Sequence, residues 1–403
     1  MNPLFQKLMG QAARLTSRGD LQRATAAIQE ALGAAAFRAP GQRAAHDASA
    51  NDAVIDVQAR EVPASAKPVA TATAASRSPA RPPEAAPAVP AEGEVLRGTY
   101  AGSTGQRDWR LYVPPGDTAA PRPLVVMLHG CTQDPDDFAA GTAMDEAARA
   151  QGFYVLYPAQ AQSANPQRCW NWFKHNHQQR GKGEPALLAG MTHDVMARHA
   201  IDPRRVYVAG LSAGGAMAAI LGEAYPDLYA AVGVHSGLAA GAADDLPSAL
   251  AAMKGDAANG PLSHGLADLP GLETFAQGLA PKKKRAPRAA GRRTPTIVFH
   301  GDRDKTVHPV NGEHIVAACT QPAANDEAAC TSEECVRSPN GRAYTRRLHA
   351  DAAGRPLAEH WVVHGAGHAW SGGSARGSYT DAGGPDASTE MLRFFSGHAL
   401  PER

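Results

Sequence analysis

The segment Gly210-Leu211-Ser212-Ala213-Gly214 follows the β-branched run Val206-Tyr207-Val208 and opens a helical pattern at Ala213. A strand that enters a helix through one sharp turn leaves no room for side chains beside its central residue. Gly210 and Gly214 therefore let Ser212 sit strained with its hydroxyl exposed. The same turn aims the Ala213 amide, at the positive end of the helix, toward any oxyanion that develops on an attacked carbonyl. A serine hydroxyl is a poor nucleophile at neutral pH, so it needs a base within hydrogen-bond reach and a carboxylate to hold that base in one tautomer.

Both residue types occur downstream. The run Thr296 to His300 leads into Gly301-Asp302-Arg303-Asp304, an acidic loop at a strand's carboxyl end, where ligand sites of open α/β sheets lie. Asp304 is favoured over Asp302 because the chain must turn before an acid can point toward a histidine, and Asp302 is expected to cap that turn. The run Trp361 to Val363 leads into His364-Gly365-Ala366-Gly367-His368, and His368, past the glycines, is favoured as the base. His364, His300 and His308 are read as structural. A second oxyanion donor is expected in Leu128-His129-Gly130-Cys131, with the Cys131 amide assigned by analogy with HG-type loops. Cys131 as the nucleophile is the weaker reading, because Ser212 already accounts for the acid and the base.

The stretch Cys169-Trp170-Asn171-Trp172-Phe173 has the period of neither a helix nor a strand. Two readings stay open: Trp170 and Trp172 line a cleft for an apolar or ring-bearing acyl chain, or the loop packs inward. Trp370, two residues beyond His368, is expected to border the cleft. No CxxC pairs with a histidine cluster at zinc spacing, so neither a metal nor a cofactor is expected.

These residues need a scaffold, and after Tyr100 short apolar runs alternate with helical periods, the pattern of an α/β domain with a mainly parallel central sheet flanked by helices. Arg110 to Val113 reads as an edge strand. Leu124 to Leu128, Tyr154 to Tyr157, Val206 to Ala209, Ala231 to Val234, Ile297 to His300 and Trp361 to Val363 read as buried strands. Helices are expected over Ala143 to Ala150, Thr192 to His199, Ala213 to Ala224, Asn311 to Cys319 and, after an Asp386 N-cap, to Phe395.

The 403 residues suggest two or three domains at roughly 150 residues each, but the organisation along the chain reduces this to one. Residues 1–37 read as a short helical segment, with apolar residues at helical spacing from Leu15 to Leu32. Residues 38–95 read as a disordered linker: seven of the 31 prolines fall between Pro63 and Pro90, and no aromatic residue lies between Arg38 and Thr99. Residues 96–403 form the catalytic domain, with 237–294 as a loop or lid insertion. That insertion carries Lys282, Lys283, Lys284, Arg285, Arg288, Arg292 and Arg293 with no acid among them, read as a solvated loop.

The formal charge of +1 gives no general attraction to nucleic acid, and no run approaches the roughly 20 apolar residues of a membrane span. The five cysteines are too few for a disulfide scaffold. Cys131 with Cys169, and Cys319 with Cys330 or Cys335, are possible pairs. Nothing in the pattern sets an oligomeric state.

Taken together, Pro123 to Thr142 (PLVVMLHGCTQDPDDFAAGT), Cys169 to Phe173 (CWNWF), Gly210 to Ala218 (GLSAGGAMA), Thr296 to Pro309 (TIVFHGDRDKTVHP), Gly365 to Ser374 (GAGHAWSGGS) and Ser378 to Ser388 (SYTDAGGPDAS) resemble the polyhydroxybutyrate depolymerase family esterases. These are α/β-hydrolases that also resemble feruloyl and acetylxylan esterases, and the likeness covers most of Leu96 to His398. It implies Ser212 as nucleophile, Asp304 as acid and His368 as base, in the chain order Ser, Asp, His that α/β-hydrolases use. The implied activity is a serine esterase on hydroxyalkanoate polyesters or their oligomers, with feruloyl or acetylxylan-type carbohydrate esters as the alternative. A serine peptidase is a weaker reading, since no feature holds a peptide amine, and a non-catalytic binding module is weaker still. Family members are often extracellular, whereas Met1 to Arg18 lacks a basic head, an apolar block and a cleavage site, which leaves a cytoplasmic reading open.

Overall fold

The structure, a computed structural model, describes residues 92–116, 119–255, 293–320, 329–339, 341–351 and 353–402. The expected N-terminal helices, nearly all of the expected linker and the basic run up to Arg292 lie outside these residues.

Described elements begin with a hairpin of β1 (Glu94–Gly102) and β2 (Gly105–Val113), followed by β3 (Arg122–Leu128), α1 (Pro135–Thr142), α2 (Met144–Gln151) and β4 (Tyr154–Pro158). Then come α3 (Gly183–Arg198), β5 (Ile201–Leu211), α4 (Ala213–Ala224), β6 (Ala231–His235), α5 (Leu246–Met253) and β7 (Thr296–Gly301). The chain closes with α6 (Val310–Thr320), β8 (Ala329–Arg337), β9 (Ala343–Ala350), β10 (Pro356–Val363), the short β11 (Trp370–Ser371) and β12 (Thr380–Asp381), and α7 (Ala387–Ser396).

Among the described residues the main sheet runs β1-β2-β4-β3-β5-β6-β7-β10-β9-β8. The neighbours from β4 through β10 are parallel, and the flanking pairs at both ends are antiparallel. Because successive side chains on a strand point to opposite faces, β3 feeds two cores. Leu124, Val126 and Leu128 pack with Leu188, Met217 and Leu221 of α3 and α4. Val125 and Met127 pack with Phe138, Met144 and Phe395 of α1, α2 and α7. Both faces are covered, which is why the central strands read as continuous apolar runs.

Several expectations need correction. Arg110 to Val113 is not an edge: β2 starts at Gly105 and lies between β1 and β4, because β1 pairs along its outer side. That strand also begins at Glu94, two residues before the expected domain boundary at 96. The helix expected from Ala143 starts at Met144, since Ala143 takes a left-handed φ of 50° that separates α1 from α2. Helix α3 begins at Gly183, well before Thr192. The stretch expected to be loop from Gly237 contains α5, capped reciprocally by Asp245 and Ser248. Helix α7 is capped by Asp386, which accepts from the Thr389 amide as expected. Among the described residues no helix is long and apolar enough to cross a membrane.

Candidate active site

Ser212 follows β5 directly and has φ 57° and ψ −118°, a conformation that side-chain-bearing residues rarely adopt. Its amide donates to His235 O at the end of β6, 2.9 Å away, so the neighbouring strand holds the turn. The flanking glycines are required by space. A Cβ on Gly214 would lie 2.0 Å from Leu128 O, and one on Gly210 would lie 2.4 Å from the Gly214 carbonyl carbon. The start of α4 therefore presses directly on the loop that leaves β3.

Because β5, β7 and β10 belong to the parallel centre, the loops after them emerge at one end of the sheet. Asp304, in the loop after β7, is buried. Its Oδ1 accepts from the Thr306 and Val307 amides, each at 2.9 Å, and its Oδ2 accepts from His368 Nδ1 at 2.7 Å. Burial pushes this carboxyl upward, but the hydrogen bonds from His300 and His368 outweigh burial and hold it well below the usual carboxylate range. The carboxylate stays charged and fixes the histidine with its proton on Nδ1, leaving Nε2 as the acceptor. No hydrogen bond joins Ser212 Oγ to His368 among the described residues; the hydrogen bond of the ring is the one from Nδ1 to Asp304.

The rival acid and base form their own pair. Asp302 Oδ2 lies 3.0 Å from His364 Nδ1, and its Oδ1 accepts from the Gly365 amide at 2.6 Å. This corrects the expected cap: Asp304, not Asp302, closes the acidic turn, while Asp302 reaches across to the loop after β10. The Asp302–His364 pair is over a third exposed, whereas the Asp304 side chain is inaccessible.

Around the proposed oxyanion donors, Cys131 is joined to Cys169 by a disulfide. Cys335 is free and exposed, so it makes no bridge to Cys319, and the Cys330 side chain lies outside the described residues. Neither the Cys131 nor the Ala213 amide has a hydrogen-bond acceptor among the described residues. His129 is the support that the sequence did not show. Its Nε2 accepts from the Gln160 amide at 3.1 Å, so Nδ1 carries the proton and donates to Gly130 O at 2.7 Å. Gly130 C=O and Cys131 N–H share one peptide plane, so this bond sets the direction of the Cys131 N–H. Burial lowers the His129 pKa to about 4 and keeps the ring neutral.

The tryptophans pack inward. Trp170 is fully buried and donates from Nε1 to His129 O at 3.1 Å. Trp370 stacks on His235 and donates to Ser388 Oγ, and Trp172 is 5% exposed. These indoles hold the loops and offer no open face, so the inward-packing alternative describes their placement. A buried carboxylate anchors the same loop: Glu184 accepts from the Asn171 amide, Asn171 Nδ2 and Gln160 Nε2, each at 2.7 Å. Its burial would raise its pKa, yet bonding from His177, Gln160 and Asn171 lowers it.

His235 is a second unforeseen support. It holds the Ser212 amide through its carbonyl and accepts the Ser371 amide on Nε2 at 3.0 Å, linking the serine turn to the loop that carries His368. Only spacing could have suggested it, as the residue ending the strand after the serine motif.

The fold resembles that of an acetyl xylan esterase from Aspergillus awamori, with TM-score 0.55 at 20% identity, covering 76% of this chain and all of that one. In sequence the chain is 32% identical over 257 residues to poly(3-hydroxyalkanoate) depolymerase C of Paucimonas lemoignei, covering 64% of this chain and 57% of that protein. It is 31% identical over 208 residues to feruloyl esterase B of Thermothelomyces thermophilus, covering 51% of this chain and 67% of that protein. Residues 107–269, which carry the serine turn, the Cys131 loop and the tryptophan loop, match the model of the esterase PHB depolymerase family. With the α/β-hydrolase sheet in place, these likenesses make the chain a member of the esterase PHB depolymerase family.

Proposed function

We propose that the protein is a serine esterase working through an acyl-enzyme. Ser212 Oγ attacks the ester carbonyl while His368 Nε2 takes its proton, and Asp304 holds the imidazolium that forms. The Cys131 and Ala213 amides receive the oxyanion, and loss of one such donor typically costs about 3 kcal/mol of transition-state stabilisation. His368 then protonates the leaving alcohol, and water, activated by the same ring, releases the acid. The observation that carries this reading is the 2.7 Å bond between His368 and a fully inaccessible Asp304 carboxylate, taken together with a serine held at φ 57° after β5.

The substrate class we favour is a hydroxyalkanoate polyester or its oligomers, supported by the likeness to the Paucimonas enzyme. Feruloyl or acetylxylan-type esters are the alternative, supported by the Thermothelomyces relative. Hydrolysis of hydroxybutyrate trimer, methyl ferulate and acetylated xylan in one assay tests this. Fastest turnover of the trimer is expected, faster ferulate turnover reverses the order, and no turnover of any ester overturns the esterase reading.

A further inference from the structure

Beside the Cys131 loop sits a tyrosine to which the proposed mechanism gives no part, although it lies in the Ser378 to Ser388 segment. Tyr379 lies between β11 and β12, is 47% exposed, and has φ 52°. Facing it is Thr132, with φ 67°, a value at which a β-branched residue is a genuine outlier. Two strained side-chain-bearing residues in contact mean that the surrounding structure over-determines both, and such positions concentrate at ligand sites.

The surrounding bonds show how each is held. Thr132 N donates to Gln167 O at 2.6 Å, next to the Cys131–Cys169 bridge. Tyr379 O accepts from the Trp370 amide at 2.7 Å, two residues beyond His368. Its neighbour Ser378 is tied to Asp137 and Gln133, and Gln133 Oε1 in turn accepts from the Gly130 amide at 3.0 Å. The hydroxyls then run in one direction. Thr132 Oγ1 gives its only proton to Cys131 O at 2.6 Å, so the 3.2 Å contact with Tyr379 must be donated by the tyrosine. Tyr379 thus bonds to Thr132, and Thr132 to the carbonyl of the residue whose amide is proposed to face the oxyanion. The ring meanwhile remains open to solvent, unlike the buried indoles of Trp170 and Trp370.

Resting on the serine-esterase reading, we infer that Tyr379 is the specificity residue of this site. Its ring lies against the apolar part of the bound ester, and its hydroxyl positions the Cys131 loop through Thr132. Its two halves separate experimentally. Tyr379→Phe keeps the ring and removes the hydroxyl, so kcat falls about 3-fold on every ester, p-nitrophenyl acetate included, with KM held within about 2-fold. Thr132→Ala produces the same loss, and the double variant loses no more than either single one, because both break one chain. Tyr379→Ala removes the ring as well, and KM for methyl ferulate or hydroxybutyrate trimer rises about 10-fold while KM for p-nitrophenyl acetate changes far less.

These kinetics are read beside the rate at which a fluorophosphonate labels Ser212 in the full chain. If wild type labels and turns over esters while the variants match it on all substrates, or if the Tyr379→Phe and Thr132→Ala losses multiply, the role of Tyr379 is wrong and the esterase reading stands. If wild type neither labels nor turns over any ester, both are overturned.

Discussion

The His368 ring donates from Nδ1 to the inaccessible carboxylate of Asp304 at 2.7 Å, while two residues upstream Asp302 makes a longer, exposed contact with His364. One acidic loop thus supplies two Asp–His pairs, and burial separates them. A pair out of water holds a tautomer firmly, whereas an exposed pair contributes at most about 1 kcal/mol.

Asp304→Asn is therefore expected to lower kcat about 10,000-fold with little change in KM, because the neutral amide no longer fixes the proton on Nδ1. Asp302→Asn is expected to stay within about 5-fold of wild type. Steady-state kinetics on p-nitrophenyl butyrate decides it, and equal losses for the two variants would refute the assignment.

His129 is expected to matter for rate without touching substrate. His129→Phe leaves Gly130 O and Gln160 N without their ring partner and frees the peptide plane of the Cys131 amide. A drop in kcat of about 10-fold is expected, together with a stability loss of about 1–3 kcal/mol. Chemical denaturation and kinetics on one preparation check both, and an unchanged kcat would detach His129 from the oxyanion loop.

The Cys131–Cys169 bridge closes a separation of 38 residues. Chain-entropy reasoning puts its contribution at about 4 kcal/mol. The double variant Cys131→Ser/Cys169→Ser should unfold at lower denaturant and lose kcat, since the bridge ties the proposed oxyanion loop to the tryptophan loop. Full activity in the double variant would show that the loop is positioned without it.

Much of this was legible in the sequence, and the exceptions share causes. The central strands announce themselves because both faces are buried, as in Leu124 to Leu128, where no side chain reaches solvent. Strands β1, β8 and β9 lie at or next to the sheet edges, and β8 and β9 are matched through the Glu333–Arg347 and Glu334–Arg346 ion pairs rather than by an apolar pattern. The sequence carries those charges but not the register that pairs them. Ser212, Asp304 and His368 were picked out by glycines and strand ends. His129, His235 and Tyr379 were missed as supports because their parts depend on partners 31, 136 and 247 residues away.

Acidification should destabilise the fold through its buried histidines. Burial lowers His129 to about 4, and His235 and His360 to about 3. Between those values and the ordinary histidine pKa near 6.5, the unfolded chain binds protons that the folded chain refuses, so stability falls as pH drops through that window. Each histidine contributes a slope of about 1.4 kcal/mol per pH unit. Urea unfolding at pH 7.5, 6 and 5 measures it: the midpoint should be highest at pH 7.5, and a midpoint that rises on acidification would contradict the buried neutral rings.

The proposed esterase mechanism depends first on Ser212, and covalent labelling reads that residue directly. Incubating wild type and Ser212→Ala with a fluorophosphonate, followed by intact mass and peptide mapping, should give one adduct per chain on Ser212 in wild type and none in the variant. Labelling of Ser212→Ala at the wild-type rate, or a wild type that stays unlabelled while folded, would contradict the account.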